Sequence, residues 1–329
     1  MTQSSLTALR GAAPSGARPG GPGRAGRSGR RGNPGKRRAL RTLPRRANLL
    51  YLPALAIFAV FIVYPLIRGF GISFTNWDGF SATKTFIGGA NYLHLFTDGT
   101  FGKVLLNTFV YGVGSTLLQQ IFGLGLALIL RKPSRRSGLV RAIIYLPALV
   151  SPVIMGTMYY LLFQYNDGAL NDIIGVFGLD KVAWLSNTTV AILIIVLVNS
   201  LQFMGISMVI YLAGLQAIPT MYYEASTLDG AAGWKQFLHV TAPLLWPAFT
   251  ASVVLNLING LKLFDVITVL TGGGPGYSTN SVSTLISITY FDSQNAGYAA
   301  AMGVALFVVI VAFALVVNTL FARFNPEAD

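Results

Sequence analysis

Charged residues, cysteine and histidine are scarce in this 329-residue chain, and each scarcity excludes a class of chemistry. Only 11% of the residues are charged, against roughly 25% in soluble domains, whereas 53% are hydrophobic and the mean hydropathy is +0.60. The absence of cysteine excludes disulfides, thiolate metal sites and cysteine nucleophiles. The two histidines, His94 and His239, lie far apart in the sequence, so we expect no histidine-rich metal centre. The apolar excess indicates that lipid is the solvent.

The net charge of +13 belongs to one N-terminal segment. Residues 1–48 hold twelve Arg or Lys and no acid, which leaves twelve basic and eleven acidic groups in residues 49–329. This segment is rich in Gly, Pro, Ser and Arg and has too few apolar residues to form a core, so it is predicted to be disordered. We interpret it as a basic cytoplasmic tail near anionic lipid. Non-specific nucleic-acid binding and an organellar transit peptide are weaker alternatives, and no nucleic-acid partner is expected.

Six apolar stretches are long enough to cross a membrane, which takes about 20 residues each. Helices are expected because lipid offers no hydrogen-bond partner to the backbone. The sequence therefore predicts an all-α integral membrane protein with six transmembrane helices in a transmembrane domain at 49–329. The predicted spans are 49–74, 104–130, 142–163, 188–212, 245–270 and 297–321.

The distribution of basic residues predicts the orientation. Residues 131–141 carry five positive charges and no acid, whereas 164–187 carry three aspartates and one lysine. The tail, the second and fourth loops and the C-terminus are therefore expected to be cytoplasmic, in a multi-pass protein of the cell membrane. Pro65, Pro147 and Pro152 are expected to kink spans. Gly123 and Gly125 are candidates for close helix approach.

The longest predicted cytoplasmic loop, about 213–244, has a distinctive pattern. Pro219 separates it from the fourth span, and Thr220 is a candidate N-cap for a short helix. Gly230 and Gly233 mark the end of that helix, and Pro243 announces the next span. On pattern alone the loop is compatible with an interfacial helix that connects two spans.

The residues of this loop resemble the "EAA" loop of ATP-binding-cassette (ABC) importer permeases. The match runs from Glu224-Ala225-Ser226 through Asp229-Gly230-Ala231-Ala232 and Gly233 to Pro243-Leu244-Leu245. The resemblance implies the MetI-like permease fold, with this loop as a coupling helix that docks into a groove of the ATPase subunit. It implies that the ATPase contacts are Glu224, Ala225, Asp229, Gly230, Ala231 and Gly233.

A second signature resembles the carbohydrate-uptake group of these permeases, which includes the maltose and glycerol-phosphate transporters. It comprises Phe264-Asp265-Val266-Ile267, Leu270-Thr271-Gly272-Gly273-Gly274-Pro275 and Gly297-Tyr298-Ala299-Ala300-Ala301, preceded by Ala90-Asn91-Tyr92 and Asn107-Thr108. The resemblance implies a sugar substrate, a second homologous permease, two cytoplasmic ATPases and an extracellular sugar-binding protein. The departures are Lys262 within a span and the long basic tail.

The glycine-rich stretch 272–276 is interpreted as an extracellular turn, because it lacks the Lys-Ser/Thr ending of a phosphate-binding loop. No nucleotide motif occurs elsewhere in the chain. We therefore expect no cofactor on this subunit and no catalytic or metal site. ATP and Mg are expected on the partner ATPase.

Polar residues within spans are candidates for the substrate path, since burying them in lipid is costly. Amide and hydroxyl groups beside an apolar face also suit sugars. Lys262 and Asp265 are spaced to form an ion pair or to face the substrate. Asn256, Asn259 and Leu263 are expected on one helix face, and hydrogen bonding between helices is the alternative role for the polar set. The resemblance to the maltose permease implies that the sugar path is lined by Asn199, Gln202, Phe203, Asn259, Gly260 and Leu263. Asn256, Lys262 and Asp265 complete the candidate set.

Three other functions are weighed against a sugar permease. An ABC permease for a non-sugar solute shares the coupling loop but not the second signature. An ion-coupled secondary transporter acting alone is disfavoured because Asp265 is the one clear carboxylate in a predicted span. A membrane enzyme is disfavoured because the spans hold no cluster of histidines or paired carboxylates.

Overall fold

The computed structural model describes residues 51–323, apart from the side chain of residue 322. The predicted tail, 1–48, lies outside the described residues. Within them the only strand-like pairing is an isolated antiparallel bridge between Thr75 and Phe86. The prediction of an all-α membrane protein is confirmed.

Thirteen helices, numbered in chain order, make up the described part of the chain. They are α1 Leu52–Ile72, α2 Ala90–Thr97, α3 Gly99–Leu130, α4 Arg135–Tyr145, α5 Pro152–Phe163, α6 Ala169–Val176, α7 Thr188–Ala217, α8 Thr220–Leu228, α9 Trp234–Leu244, α10 Trp246–Leu261, α11 Asp265–Leu270, α12 Val282–Ser287 and α13 Ala296–Ala322.

Four helices, α1, α3, α7 and α13, are individually long and apolar enough to cross a membrane. Two bent pairs, α4–α5 and α9–α10, bring the number of candidate spans among the described residues to as many as six. The number agrees with the six predicted spans, although two of those spans differ in shape from the prediction.

The third predicted span, 142–163, is wrong as a continuous helix. A 3₁₀ turn at Leu146–Leu149 follows α4, and the chain bends by 97° before α5. Pro147 lies in that turn and Pro152 begins α5, so the expected disruption by these two prolines is confirmed. Proline at the start of a helix is tolerated because its missing N–H has no intrahelical partner there.

The fifth predicted span, 245–270, is also interrupted. Helix α10 ends at Leu261, and α11 begins only at Asp265. On the other side of α10, a bend of 66° separates it from α9. The residues predicted as one helix therefore belong to two helices, α10 and α11, with a non-helical break between them.

The centre of the bundle is built where α3, α7 and α10 pack together. At Gly123 on α3, a Cβ atom would lie 2.5 Å from the Cβ of Ser207 on α7, whereas at Gly125 it would meet nothing within 4 Å. Gly260 on α10 faces the backbone of Gly112 on α3, 2.9 Å from its Cα to an added Cβ. Close helix approach is therefore confirmed at Gly123 but is wrong at Gly125.

Three π-helical turns occur in the described residues, and in each the backbone hydrogen bond spans one residue more than in an α-helix. These turns are Ala59–Val63 within α1, Phe237–Thr241 within α9, and Ile288–Asp292 directly after α12. In α1 the wide turn ends just before Pro65, whose ring supplies no N–H donor.

Candidate functional site

The loop with the EAA-like residues forms a helix–turn–helix, which we call the EAA segment (residues 219–241). Pro219 precedes α8, and Thr220 is its first helical residue without a side-chain capping bond, so the predicted N-cap role of Thr220 is wrong. Helix α8 ends at Leu228, as the glycines predicted. Gly230 and Gly233 follow with φ of +76° and +55°, a left-handed conformation that glycine adopts without steric cost.

Hydrogen bonds join the two arms of the EAA segment to each other. The carboxamide of Gln236 donates to the carbonyl of Tyr223 at 3.2 Å and to the hydroxyl of Ser226 at 2.9 Å. The amide of Ala231 donates to the carbonyl of Ser226 at 2.8 Å. The hydroxyls of Tyr223 and Thr241 lie 3.3 Å apart. These contacts fix α8 against α9 as one unit.

The outer surface of the EAA segment is apolar and exposed. Leu228 is 90% exposed and Trp234 is 69% exposed, with its ring stacked on Phe237 at 5.2 Å between centroids. Five of the six predicted contact residues, Glu224, Ala225, Asp229, Gly230 and Gly233, are exposed, and Ala231 is half-buried. Large exposed apolar side chains beside acidic ones are typical of a protein–protein contact surface.

The candidate polar residues of α7 lie against α3 and the 3₁₀ turn rather than on an open surface. Asn199 and Gln202 are buried, and Phe203 is half-buried. The backbone carbonyl of Asn199 accepts from the carboxamide of Gln119 at 3.2 Å, and Gln202 donates to the carbonyl of Val150 at 3.3 Å. The Oε1 atom of Gln202 is buried without a partner in the described residues.

The candidates on and after α10 divide into buried and exposed groups. Asn256 is buried and donates to the hydroxyl of Ser207 on α7 at 2.6 Å, which matches the helix-packing alternative. Gly260 faces α3, and Leu263 is buried in the core with 7% exposure. Asn259 is exposed. Asn256 and Asn259 are three residues apart on α10 and differ in exposure, whereas Leu263 lies beyond the end of the helix and so does not share a helix face with them.

Lys262 and Asp265 lie in the break between α10 and α11. Lys262 is exposed and Asp265 is half-buried. Neither a hydrogen bond nor an ion pair joins these two described side chains, so the predicted pairing is absent from this conformation. The backbone amide of Lys262 donates to the carbonyl of Asn259 at 3.2 Å, so these two exposed residues are neighbours.

The glycine-rich motif is fastened to α3. The carboxamide of Asn107 donates to the carbonyls of Ser278 and Asn280 at 2.8 and 3.1 Å, and the Tyr111 hydroxyl donates to the carbonyl of Thr279 at 2.7 Å. Gly273 has φ +82°, and a Cβ there would lie 2.0 Å from Oδ1 of Asn280. The loop is therefore a compact structural element. Asn107 belongs to the same sequence signature as the glycines because its side chain holds their loop in place.

The remaining motifs join the two ends of the described chain. The Asn91 carboxamide donates to the carbonyls of Ser73 and Thr75 at 2.8 and 2.9 Å. Gly297 donates its amide to the carbonyl of Trp77 at 2.9 Å, and a Cβ at Gly297 would lie 1.9 Å from the carbonyl oxygen of Thr75. These motif residues hold α1, α2 and α13 together.

Sequence reasoning missed a row of buried polar residues on α3. Gln119 and Gln120 are 2% and 7% exposed, and each has one amide atom without a hydrogen-bond partner in the described residues. Gln120 also accepts a bond from the hydroxyl of Tyr211 on α7. The signal was present, since two adjacent glutamines interrupt an apolar stretch. In the described chain no group of three His, Asp or Glu side chains is placed to hold a metal ion.

The amino-acid sequence is similar to those of known transport proteins. Residues 119–327 match the family model described as binding-protein-dependent transport system inner membrane component. The trehalose/maltose transport system permease protein MalF of Thermococcus litoralis is 35% identical over 82% of this chain and 90% of its own length. The lactose transport system permease protein LacF of Rhizobium radiobacter is 32% identical over 79% and 89%.

Solved structures agree with the sequence relatives. A chain of a bacterial alginate ABC transporter, in complex with an alginate pentasaccharide-bound periplasmic protein, superimposes with a TM-score of 0.74 at 25% identity. The match covers 85% of this chain and 96% of that chain. This chain therefore belongs to the binding-protein-dependent transport system inner membrane components, the permease subunits of ABC importers, and is a transport subunit rather than an enzyme.

Proposed function

We propose that this chain forms one half of the membrane path of a sugar importer driven by ATP hydrolysis on partner subunits. The observation that carries the sugar assignment is the 35% identity over 82% of the chain to a permease named for trehalose and maltose. Further relatives are named for lactose and for starch degradation products. A non-sugar solute is the alternative on the same architecture.

The proposed assembly contains a second homologous permease, two cytoplasmic ATPases and an extracellular sugar-binding protein. A pentasaccharide-bound periplasmic protein in the related alginate transporter supports the last of these. We infer that both termini lie in the cytoplasm, because the 131–141 loop is basic and the 164–187 loop is acidic. ATP and Mg bind the partner ATPase.

The EAA segment is the proposed contact with the ATPase. Glu224, Ala225, Asp229, Gly230, Ala231 and Gly233 lie on or beside its exposed surface, together with Leu228 and Trp234. Glycine at 230 and 233 lets the chain reverse direction without a side chain between the two proteins. The apolar side chains supply the buried area that a stable contact needs.

The coupling mechanism follows from the hydrogen bonds within the segment. Because Gln236 and Tyr223 hold α8 against α9, a displacement of α8 by the ATPase moves α9 with it. Helix α9 leads through the 66° bend into α10, which ends beside Lys262. A motion at the cytoplasmic surface is thereby passed to the polar residues at the far end of α10.

The proposed substrate path uses the exposed polar groups Asn259 and Lys262, the half-buried Phe203 and Asp265, and the unpaired Oε1 of Gln202. Asn199 lies one helical turn from Gln202 and Phe203. Asn256, Gly260 and Leu263 support these residues from behind by packing against α3, α7 and the core. Carboxamide and ammonium groups donate hydrogen bonds to sugar hydroxyls.

Transport in vesicles tests this proposal. The chain is reconstituted with its neighbouring permease, ATPase and binding protein, and uptake of labelled trehalose, maltose and lactose is measured with and without ATP. Glu224→Ala and Gly230→Ala are expected to lose uptake and ATPase co-purification. Gly138→Ala is the matched control, because Gly138 has an ordinary backbone conformation and an added Cβ there would meet nothing within 4 Å.

Uptake that needs an ion gradient but no ATP contradicts the importer and favours an ion-coupled transporter. ATP-dependent uptake by both EAA variants at the rate of Gly138→Ala contradicts the coupling assignment alone.

A further inference from the structure

A cleft of about 410 Å³ lies at the end of the bundle that the charge pattern places outside the cell. It is bordered by the end of α5, by the loop that leads into α7, and by the glycine-rich loop, which is hydrogen-bonded to α3. Its lining includes Tyr160, Tyr165, Trp184, Gln164 and Ser186. None of these residues belongs to the predicted substrate path.

Asn171 fixes the shape of this cleft from behind. The side chain is 1% exposed, and its Oδ1 accepts from the Val182 amide at 3.1 Å and from the Trp184 indole N–H at 3.0 Å. Its Nδ2 donates to the carbonyls of Gln164 and Tyr165 at 3.3 and 3.1 Å. This buried carboxamide therefore joins the chain that follows α5 to the segment that leads into α7, and it holds the Trp184 indole directly.

The aromatic rings remain available to a ligand. Tyr160 and Tyr165 are 41% and 50% exposed. The Trp184 indole N–H is already bonded to Asn171, and its ring meets Phe163 edge-on with centroids 6.4 Å apart, so the indole offers a ligand its apolar surface. Gln164 and Ser186 add a carboxamide and a hydroxyl at the same cleft.

This mixture of groups fits a sugar better than a lipid chain or a phosphate. A sugar ring has apolar C–H faces edged by hydroxyls, and rings beside amide and hydroxyl groups complement both parts. By contrast, a groove of about 440 Å³ between α3, α10 and α13 is lined by side chains such as Leu117, Ile121 and Phe313, a surface suited to lipid. Lys181 lies over the Tyr165 ring at 6.0 Å, and among the described residues no cationic side chain lines the cleft.

We propose that this cleft is an entry subsite that holds a sugar ring against Tyr160, Tyr165 and Trp184 after release from the binding protein. This inference rests on the proposed function, because it takes the substrate to be a sugar and this end to be extracellular. It adds a first contact ahead of the polar residues of α7 and α10.

The test compares aromatic with aliphatic side chains in the complete transporter. Tyr160→Leu/Tyr165→Leu keeps apolar bulk but removes both rings, whereas Tyr160→Phe/Tyr165→Phe keeps the rings. ATP-dependent uptake of trehalose, maltose and lactose is measured while the sugar-loaded binding protein is titrated. Because both rings are lost together, the double Leu variant is expected to lower uptake about five-fold or more. The double Phe variant is expected to match the unaltered chain.

Phe177→Leu is the matched control, because Phe177 is 76% exposed on the same loop and does not line the cleft. An equal loss of uptake in Phe177→Leu shows that these aromatics anchor the protein at the membrane interface, which overturns the subsite. Uptake by the double Leu variant at the unaltered rate also overturns it. Absence of ATP-dependent sugar uptake in the unaltered chain is a failure of the proposed function itself, and the subsite falls with it.

Discussion

The glycine-rich loop and the EAA segment both contain left-handed glycines and family motifs, yet they are built in opposite ways. The glycine-rich loop is bonded to α3 through Asn107 and Tyr111, and the Cβ position of Gly273 is occupied by Asn280. The EAA segment is bonded mainly within itself, and Gly230 has nothing within 4 Å of its Cβ position. Motif residues at one end thus fix the fold, and those at the other present a surface.

The largest expected effect on stability is in the glycine-rich loop, which is hydrogen-bonded to α3. Gly273→Ala places a Cβ 2.0 Å from Asn280 Oδ1 at a φ of +82°. A left-handed alanine costs about 1–2 kcal/mol and overpacking adds about 1–3 kcal/mol, so we expect a loss near 3 kcal/mol. Thermal unfolding in detergent measures it. Gly230→Ala has the same backbone strain without the collision, and an equal fall in its unfolding temperature contradicts the comparison.

The next effect concerns the helix crossings between these two regions. Gly123→Ala forces the Ser207 Cβ away from a contact of 2.5 Å, and we expect a loss of about 1–3 kcal/mol. Gly125→Ala, two residues along, is expected to change stability by no more than about 0.5 kcal/mol. Unfolding temperatures of the two variants are compared directly. Equal values show that α3 and α7 are not in close contact at Gly123.

A smaller effect is the pH dependence of the contact between Asp98 and α13. Burial raises the pKa of Asp98, but hydrogen bonds from the Tyr298 hydroxyl and the Thr100 amide lower it by more than burial raises it. The pKa of Asp98 therefore lies below the usual 3.8. A carboxylate with a lowered pKa in the folded state stabilises above 3.8 and loses that contribution as the pH falls below it.

The difference in unfolding temperature between the unaltered chain and Asp98→Asn isolates this contribution from other carboxylates. We expect the difference to be constant from pH 7 to about pH 5 and to shrink toward pH 3. A constant difference down to pH 3 is inconsistent with a lowered pKa of Asp98.

The smallest expected effect on stability is at the EAA segment, where the effect on function is large. Leu228→Ser and Trp234→Ser remove side chains that are 90% and 69% exposed, so unfolding is expected to shift by less than about 0.5 kcal/mol. ATPase co-purification is expected to fall strongly, since exposed apolar anchors dominate such contacts. A lowered unfolding temperature with unchanged co-purification reverses the roles assigned to the two regions.

Much of this comparison is visible in the sequence. Pro147 and Pro152 predicted a disrupted third span, because proline removes a backbone donor. Gly230 and Gly233 predicted the turn of the EAA segment. The family motifs identified both loops as important. They did not reveal that the glycine-rich loop stabilises the fold whereas the EAA segment presents an exposed surface.

Other features depend on packing that a single sequence does not contain. The break at Lys262 carries no proline, and helical spacing alone left Asn256 and Asn259 equivalent. The sequence gives no reason to expect different packing at Gly123 and Gly125, and only the position of α7 beside α3 distinguishes them. In each case the neighbouring helix decides which side of a residue is buried, and helix propensity is the weaker influence.

The π-helical turn at Ile288–Asp292 has a consequence for chain length. A π turn holds one residue more than the α-helical path across the same rise. Deleting one residue there converts it to an ordinary turn and leaves the faces of α12 and α13 in place. The same deletion in the middle of α7 rotates every later side chain by about 100°. Natural length variation among related permeases is therefore expected at this turn rather than within the long spans.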